Sequence, residues 1–234
     1  MCSVDLRLRI LSRVPFFNGL KDEDLEQINQ LFREHGYSPE ETICFAGDPA
    51  EHLFVVADGR VKLMHHSLSG KNVLLDMLTP GEFFGSLSTL GDGVYPDTAE
   101  AQTQTCVLVI SANDFRQILE KHPTVALKVV DIMAARLRTA HERVRQLSAL
   151  STEGRIANLL LILSKKFGTS SDVGLLIQAP LTRDDLAAMT GTTTETASRV
   201  MSQFQKDGLI QTGRKWVSII DQNALERIAE VEVQ

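Results

Sequence analysis

The sequence predicts an α+β chain with N-terminal β-strands, a long helix and a C-terminal winged helix-turn-helix. Three patterns indicate this order. Short apolar segments alternate with turn residues between positions 41 and 110, an apolar heptad repeat occupies 130–147, and two helix starts lie on either side of a glycine between 182 and 193. Such a shift in hydrophobic periodicity separates a β region from a helical one. We expect domains at residues 1–111 and 152–234, joined by a helix and hinge at 112–151.

The composition predicts a globular protein of the reducing cytoplasm. The 234 residues are 43% hydrophobic and 23% charged. No apolar run reaches the ~20 residues of a membrane helix, and the N-terminus has no secretory pattern. The three cysteines are scattered, odd in number and form no CxxC pair, which disfavours a disulfide framework. We therefore expect a cytoplasmic protein without a membrane partner.

The charge is unevenly distributed along the chain. Residues 1–111 contain 8 Lys and Arg against 16 Asp and Glu, residues 112–166 contain 10 against 5, and residues 167–234 contain 6 against 9. An acidic first half followed by a basic middle can orient a protein on DNA, although the net charge is −6. A solvated basic helix face would give the same pattern, so charge alone leaves both interpretations open.

Between residues 41 and 110 the pattern is that of an all-β domain. The apolar segments are 43–45, 53–56, 61–64, 73–77 and 107–110, and turn residues separate them. Strands at a spacing of about 8–12 residues indicate a barrel, a roll or a sandwich. Residues 4–35 are expected to form short helices broken at Pro15 and Gly19, and residues 168–173 a polar loop.

A heptad repeat in the helical middle predicts dimerisation. Its apolar positions, spaced alternately by three and four residues, are Val130, Met133, Leu137, Ala140, Val144 and Leu147. This is the a/d seam of a coiled coil. A helix packed on its own domain is the alternative, but such a helix usually carries a wider apolar stripe. We expect a homodimer through this helix, with a hinge at residues 151–154.

Two helix starts in the C-terminal region indicate a helix-turn-helix. Thr182 and Asp185 fit a capping box, Gly191 stands at the turn, and Thr192 or Thr193 caps the second helix. The expected buried face of that helix is Ala197, Val200, Met201 and Phe204. The expected exposed face is Glu195, Ser198, Arg199 and Ser202.

The exposed face of the second helix has the side chains that read bases. Arg199 can donate two hydrogen bonds to guanine, Glu195 can accept one from cytosine, and Ser198 can bond either type. A surface salt bridge between Glu195 and Arg199 is the alternative. A hairpin at 209–220 would form a wing with a cationic tip for phosphate. The predicted DNA contacts are Thr182, Arg183, Thr193, Thr194, Glu195, Ser198, Arg199, Ser202, Arg214 and Lys215.

Four segments of the chain resemble the cAMP receptor protein / fumarate-nitrate reductase regulator family. They are GEFFG at 81–85, GRIA at 154–157, LTRDDLA at 181–187 and ETASR at 195–199. The resemblance covers the whole chain and implies a cyclic-nucleotide-binding-like β-roll, a dimerisation helix and a DNA-binding winged helix-turn-helix. It implies Glu195, Ser198 and Arg199 as base readers and RNA polymerase as a partner.

The match at 195–199 is similar to the fumarate-nitrate branch, which implies a palindrome of TTGA-like half-sites. The cAMP receptor itself has an arginine where Thr194 stands, so one of its base or backbone contacts is absent here.

The resemblance also implies an effector pocket between the roll and the long helix. Its residues would be Gly85, Ser86, Leu87, Ser88, Asp97, Thr98, Ala140 and His141. A cAMP site of this type needs a Glu in place of Ser86, an Arg in place of Asp97 and a Thr-Ser pair in place of residues 140 and 141. A carboxylate beside a cyclic phosphate brings two negative groups together. We therefore expect an unidentified effector other than cAMP, or none.

Haem remains a candidate cofactor, whereas an iron–sulfur cluster is disfavoured. Cys2, Cys44 and Cys106 cannot supply four cluster ligands. His141, beside the seam, is the best-placed axial haem ligand, and the other candidates are His65, His66 and His122. The alternative for each histidine is a surface or hydrogen-bonded side chain, and no further metal site is expected.

Two other classes of protein compete with a transcription regulator. A cupin-type enzyme needs clustered metal ligands, but the adjacent His65 and His66 would face opposite sides of a strand. No Walker loop or nucleophile elbow occurs either. A cyclic-nucleotide regulatory protein acting without DNA would lack the helix-turn-helix. We predict a DNA-binding transcription regulator that is not an enzyme; activation or repression stays open.

Overall fold

The computed structural model describes residues 4–66, 72–85, 93–172, 174–178, 182–213 and 216–230. The chain divides into two compact units, Met1–Leu137 and Arg138–Gln234. A 27-residue helix passes from the first unit into the second.

The first unit is a β-roll preceded and followed by helices. Its elements, in chain order, are α1 Val4–Leu11, α2 Asp22–Leu31, β1 Arg33–Tyr37, β2 Thr42–Cys44, β3 His52–Asp58, β4 Val61–His66, β5 Asn72–Leu78, β6 Phe83–Gly85, β7 Thr98–Ala101, β8 Thr105–Ser111, α3 Ala112–Lys121 and the start of α4 Pro123–Ala149. One antiparallel sheet has the order β1-β8-β3-β6 and the other β2-β7-β4-β5. The predicted α+β class and the roll are confirmed.

Strand β3 contributes to two cores because both of its faces are covered. Leu53 and Val55 pack with the helices on one face, whereas Phe54 and Val56 pack with the second sheet on the other. A strand covered on both faces is continuously apolar rather than alternating. The helical core also contains Phe32 and, from α2, Leu25 and Ile28. The inner core, which lies between the two sheets, contains Phe54 and Val56 together with Val61, Phe84 and Val109.

In the second unit, the described residues after α4 form four helices and a small antiparallel sheet. After the end of α4 come α5 Thr152–Phe167, β9 Gly168–Ser171, β10 Gly174–Ile177, α6 Arg183–Thr190, α7 Thr194–Lys206, β11 Ile210–Gly213, β12 Trp216–Ile219 and α8 Gln222–Ala229. The sheet has the order β11-β12-β10-β9. Among the helices of the described residues, none is long and apolar enough to span a membrane.

Helix α8 packs closely against the first turn of α5 at Gly154. A Cβ on Gly154 would lie 3.2 Å from the carbonyl oxygen of Ile228. Leu225 of α8 is fully buried. The first turn of α5 and the last turn of α8 therefore meet at backbone contact distance.

Two local sequence predictions were wrong. Residues 168–171 are strand β9 and not a polar loop; β9 is an exposed edge strand held by main-chain pairing with β10, so it carries no apolar alternation. Residues 33–35, which were expected to be helical, begin strand β1, another edge strand held by main-chain pairing. Residues 152–154, part of the predicted hinge, form the first turn of α5, and the hinge stays a prediction. Ser151 caps that turn, its hydroxyl accepting a hydrogen bond from the Gly154 N–H. The interruption between α4 and α5 therefore comprises only Leu150 and Ser151.

Candidate DNA-binding interface

Helix α6 starts at the predicted capping box. The Thr182 hydroxyl accepts a hydrogen bond from the Asp185 N–H at 3.0 Å, and the Asp185 carboxylate accepts one from the Thr182 N–H at 2.9 Å. Two N–H groups that helical bonding would leave unpaired are thereby satisfied. Arg183 follows as a half-buried first residue, and burial lowers the pKa of its guanidinium. The start of α6 is thus fixed by two side chains that lie three residues apart in the sequence.

The turn between α6 and α7 depends on Gly191. This residue is left-handed, with φ 62° and ψ 40°, and its N–H bonds the carbonyl of Ala187. Glycine adopts this conformation without the steric cost that a Cβ imposes. A Cβ there would also come within 3.2 Å of Leu147. Thr193 then caps α7, and its hydroxyl accepts a hydrogen bond from the Thr196 N–H at 3.2 Å.

Helix α7 has the two faces that its sequence predicts. Its buried residues are Ala197, Val200, Met201 and Phe204. On the opposite face, Glu195, Arg199 and Ser202 are exposed and Ser198 is half-buried. The Ser202 hydroxyl donates a hydrogen bond of 2.9 Å to the carbonyl of Ser198. The second helix therefore buries one side and presents a polar side to solvent.

Arg199 and Glu195 do not form the salt bridge that was the alternative interpretation. Within the described part of the chain, no ion pair or side-chain hydrogen bond engages either residue. Both side chains are exposed. The guanidinium of Arg199 is therefore available to an external acceptor.

The remaining predicted contacts lie at the helix starts and on the wing. Thr194 donates a hydrogen bond to the carboxylate of Asp184, which links the starts of α6 and α7. Strands β11 and β12 form the predicted hairpin, and the Thr212 hydroxyl donates a hydrogen bond of 2.8 Å to the amide oxygen of Gln205 on α7. Arg214 and Lys215, predicted for the wing tip, lie outside the described residues.

Arg155 is a structural residue of this unit that sequence reasoning did not single out. Its Nη1 donates to the carbonyl of Leu150 at 2.9 Å, and its Nε donates to the carbonyl of Thr190 at 2.8 Å. A third bond reaches the hydroxyl of Thr152 at 3.3 Å. The guanidinium thus joins the end of α6 to the start of α5. The only sequence signal was its place in the GRIA segment.

The predicted seam of α4 is largely exposed. Val130, Leu137, Val144 and Leu147 are 64%, 58%, 63% and 53% exposed. Ala140 is exposed as well, whereas Met133 is half-buried and packs against the helical core of the first unit. Large apolar side chains in a row at this exposure are unusual for a surface that water covers. Five of the six seam positions are therefore open to a partner, and Met133 is shared with the core of its own unit.

Two domain families match the chain in the order of its two units. The cyclic nucleotide-binding domain matches residues 34–122, and the Crp-like helix-turn-helix domain matches residues 154–228. The cyclic AMP receptor protein of Thermus thermophilus is 32% identical over 215 residues, which cover 92% of this chain and 96% of that protein. The chain belongs to the cAMP receptor protein / fumarate-nitrate reductase regulator family.

Solved structures of the family share this fold. The catabolite activator protein of Thermus thermophilus is 32% identical, with a TM-score of 0.54 and coverage of 92% of this chain and 98% of that chain. FixK2 from Bradyrhizobium japonicum is 24% identical, with a TM-score of 0.75 and coverage of 86% and 99%. The chain is thus a DNA-binding transcription regulator of this family with a cyclic nucleotide-binding domain.

The predicted effector residues of the roll have structural roles of their own. Gly85 ends β6 with φ +92°, and a Cβ there would lie 2.7 Å from the carbonyl oxygen of His52. Thr98 is buried, and its hydroxyl accepts a hydrogen bond from the Ala46 N–H at 3.1 Å. Ser86, Leu87 and Ser88 lie outside the described residues.

The predicted effector residue Asp97 is half-buried. Burial raises its pKa, and the neighbouring His65 offsets part of that rise. Burial therefore disfavours the ionised carboxyl, and a phosphate charge brought beside the carboxylate would be repelled. Ala140 and His141 are exposed on the part of α4 that belongs to the second unit. Among the described residues, no cluster of three or more His, Cys, Asp or Glu has metal-binding geometry.

Arg136 links α4 to the strand that leads into the predicted effector segment. Its Nη2 donates a hydrogen bond of 3.1 Å to the carbonyl of Phe83, and its guanidinium carbon lies 4.1 Å from the centre of the Phe83 ring. Burial lowers the pKa of the guanidinium, whereas Asp76 and Glu82 raise it. This side chain therefore joins α4 to β6 within the first unit.

Proposed function

We propose that this regulator acts as a homodimer that reads a two-fold-symmetric, TTGA-like operator through α7. The observation that supports base reading most directly is the exposed Arg199, which no described residue engages, on the polar face of a capped helix. A guanidinium in this position can donate two hydrogen bonds to the O6 and N7 of guanine. Glu195, one turn earlier, supplies an acceptor for cytosine.

The dimer in this proposal forms along the α4 seam. The exposed Val130, Leu137 and Val144 lie seven residues apart, as the a positions of a two-stranded coiled coil do. Pairing them with a second copy would remove apolar surface from water at about 25 cal/mol per Å². A two-fold dimer presents two copies of α7, so the operator would be a pseudo-palindrome with half-sites about 34 Å apart, or a small multiple of that distance.

The proposed domain roles follow the domain boundaries that the sequence predicts. Residues 1–111 would form the sensor, 112–151 the dimer helix with the break after it, and 152–234 the DNA-binding domain. The wing tip residues Arg214 and Lys215 would contact phosphate. We further propose RNA polymerase as the protein partner and the cytoplasm as the place of action, because operator and polymerase are both there.

The effector in this proposal is neither cAMP nor cGMP. Asp97, with its half-buried carboxyl, stands where the resemblance requires a phosphate-binding arginine. Replacing a charge-assisted pair by two like charges disfavours a cyclic phosphate. Haem bound through His141 is the alternative to an unidentified small-molecule effector. An absorption spectrum of the purified protein would reveal haem, and a mass spectrum would reveal another bound molecule.

Footprinting on promoter DNA tests the proposed function. We expect protection of two inverted half-sites, with affinity falling steeply as salt rises because phosphate contacts release counterions. The control is a duplex in which one half-site is scrambled, which should bind far more weakly. Protection of a single asymmetric half-site, or equal affinity for both duplexes, would contradict the proposal.

A further inference from the structure

A cleft in the first unit lies next to the predicted effector residues Gly85 and Asp97, without including either in its lining. It has a volume of about 470 Å³, within the range of small-molecule sites. Its floor consists of the buried side chains of Cys44, Phe54, Tyr95 and Val109. None of the residues that the resemblance assigns to the effector pocket lines it. The cleft opens at the inner face of the first sheet, beside the segment that joins β2 to β3.

Aromatic rings fixed by backbone pairing form much of the wall. Phe54 pairs with Val109 of β8, and its ring centre lies 6.0 Å from that of Tyr95 and 6.2 Å from that of His52. The Tyr95 hydroxyl accepts a hydrogen bond of 3.1 Å from the His52 N–H, which holds the phenol ring in place. These rings are therefore set before any ligand arrives.

Two aromatic side chains extend the wall to the mouth of the cleft. Tyr37 of β1 is half-buried against the inner core, and Phe45 is 57% exposed at the rim. An exposed phenylalanine beside a cleft is an apolar surface that a ligand could cover. Together with Phe54 and Tyr95, they give the cleft an aromatic lining; the Phe54 ring is itself stacked on Phe84, at 4.9 Å between ring centres.

The carboxylates at the mouth of the cleft are those of Asp48 and Glu51, and two histidines, His35 and His52, also line it. Asp48 and Glu51 line the cleft and are exposed. Within the described residues, neither carboxylate takes part in an ion pair or accepts a side-chain hydrogen bond. The described lining contains no lysine or arginine. A cation entering the cleft would therefore meet two carboxylates at the mouth and aromatic faces inside.

We propose that this cleft binds a small organic cation of the quaternary ammonium class. Aromatic faces attract a cation through their quadrupoles, and this combination of rings is a common means of holding a methylated ammonium group. The apolar floor favours methyl groups over a strongly hydrated primary ammonium, while Asp48 and Glu51 supply the opposite charge. The site is independent of DNA reading by α7, so each can fail without the other.

Choline binding to the full chain tests this site, with 3,3-dimethylbutan-1-ol as its uncharged isostere. In calorimetric titration, we expect a dissociation constant for choline in the millimolar range. The isostere should bind at least fivefold more weakly. The Asp48→Asn/Glu51→Gln double variant and Phe45→Ala should each weaken choline by about two- to fivefold, as expected for exposed cation–aromatic and charge contacts. These positions are exposed, so the fold should persist, which circular dichroism checks.

Glu26→Gln on α2 is the matched control, because it removes an exposed carboxylate away from the cleft. It should leave choline affinity unchanged. Equal affinity for choline and its isostere would show an apolar cleft without charge selectivity and would overturn the proposal. Absence of choline binding at tens of millimolar would overturn it too, as would equal weakening by Glu26→Gln. Operator binding, measured in parallel, reports on the proposed function separately.

Discussion

The Nε of Arg155 donates a hydrogen bond of 2.8 Å to the carbonyl oxygen of Thr190, the last residue of α6. The same guanidinium bonds the carbonyl of Leu150, just after α4. One side chain therefore fixes the first helix of the helix-turn-helix relative to the point where α4 gives way to α5. The position of α7 depends on this link through the short turn at Gly191.

Replacing Arg155 should destabilise the second unit. Arg155→Ala leaves two carbonyl oxygens without their charged donor, and such hydrogen bonds contribute about 1.5–3 kcal/mol. Arg155→Lys should recover only part of the loss, because an ammonium cannot reproduce the planar fork. Urea unfolding followed by the fluorescence of Trp216, the single tryptophan of the chain, reports on this unit.

Arg227→Ala is the control for that series, since Arg227 is an exposed arginine of α8. Its unfolding midpoint should stay close to that of the unchanged protein. An Arg155→Ala midpoint that also stayed unchanged would mean that the three hydrogen bonds contribute nothing net.

Arg199 should carry the sharpest sequence discrimination. Arg199→Ala removes a bidentate donor and should cost about 1–3 kcal/mol per half-site while flattening the preference at one G·C pair. Lys215→Ala, on the predicted wing tip, should weaken all sequences alike and reduce the salt slope by about one unit. Competition binding against specific and scrambled duplexes at several salt concentrations measures both. Equal weakening of both duplexes by Arg199→Ala would assign Arg199 to phosphate instead.

Leu137→Glu should convert the protein to a monomer. The Leu137 side chain is 58% exposed at an a position of the seam, so a two-fold dimer would place two glutamates opposite each other. Ala135→Glu is the control, because residue 135 occupies the outer f position of the preceding heptad and is exposed. Sedimentation should show a monomer for the first variant and a dimer for the second. If both variants were dimers, the seam would not be the dimer interface.

The local and the long-range features of the fold differ in how well the sequence predicts them. The caps at Thr182 and Thr193 were predictable, because each bonds an N–H three residues ahead. The role of Arg155 was not, since Thr190 lies 35 residues away. The sequence did not predict the edge strands β1 and β9, for another reason. Main-chain pairing holds these strands, and their mostly polar side chains do not alternate with apolar ones.

Cyclic nucleotides should bind poorly or not at all. The half-buried Asp97 would lie near the phosphate in a family-type site, and like charges in a desolvated setting repel. Calorimetry with cAMP and cGMP should show no binding, whereas Asp97→Arg should increase affinity by restoring a positive partner. A micromolar dissociation constant for the unchanged protein would refute this and the assignment of residue 97.

Asp97 should also make stability depend on pH. Because burial raises the pKa of its carboxyl in the folded state, ionisation costs folding free energy. The cost is absent at acidic pH, where the group is neutral in both states, and appears as pH rises through the raised folded pKa. Asp97→Asn should therefore have a higher Tm than the unchanged protein at pH 7 and the same Tm near pH 3. A lower Tm at pH 7 would show that interactions of the carboxylate outweigh its desolvation.

The contact between Gly154 and Ile228 has a consequence for biosynthesis. Helix α5 is the first complete helix of the second unit to leave the ribosome, and α8 follows every other element of that unit. Until residues 222–229 emerge, the face of α5 that receives Leu225 has no cover. We therefore expect the core of the second unit to close only once translation has passed α8.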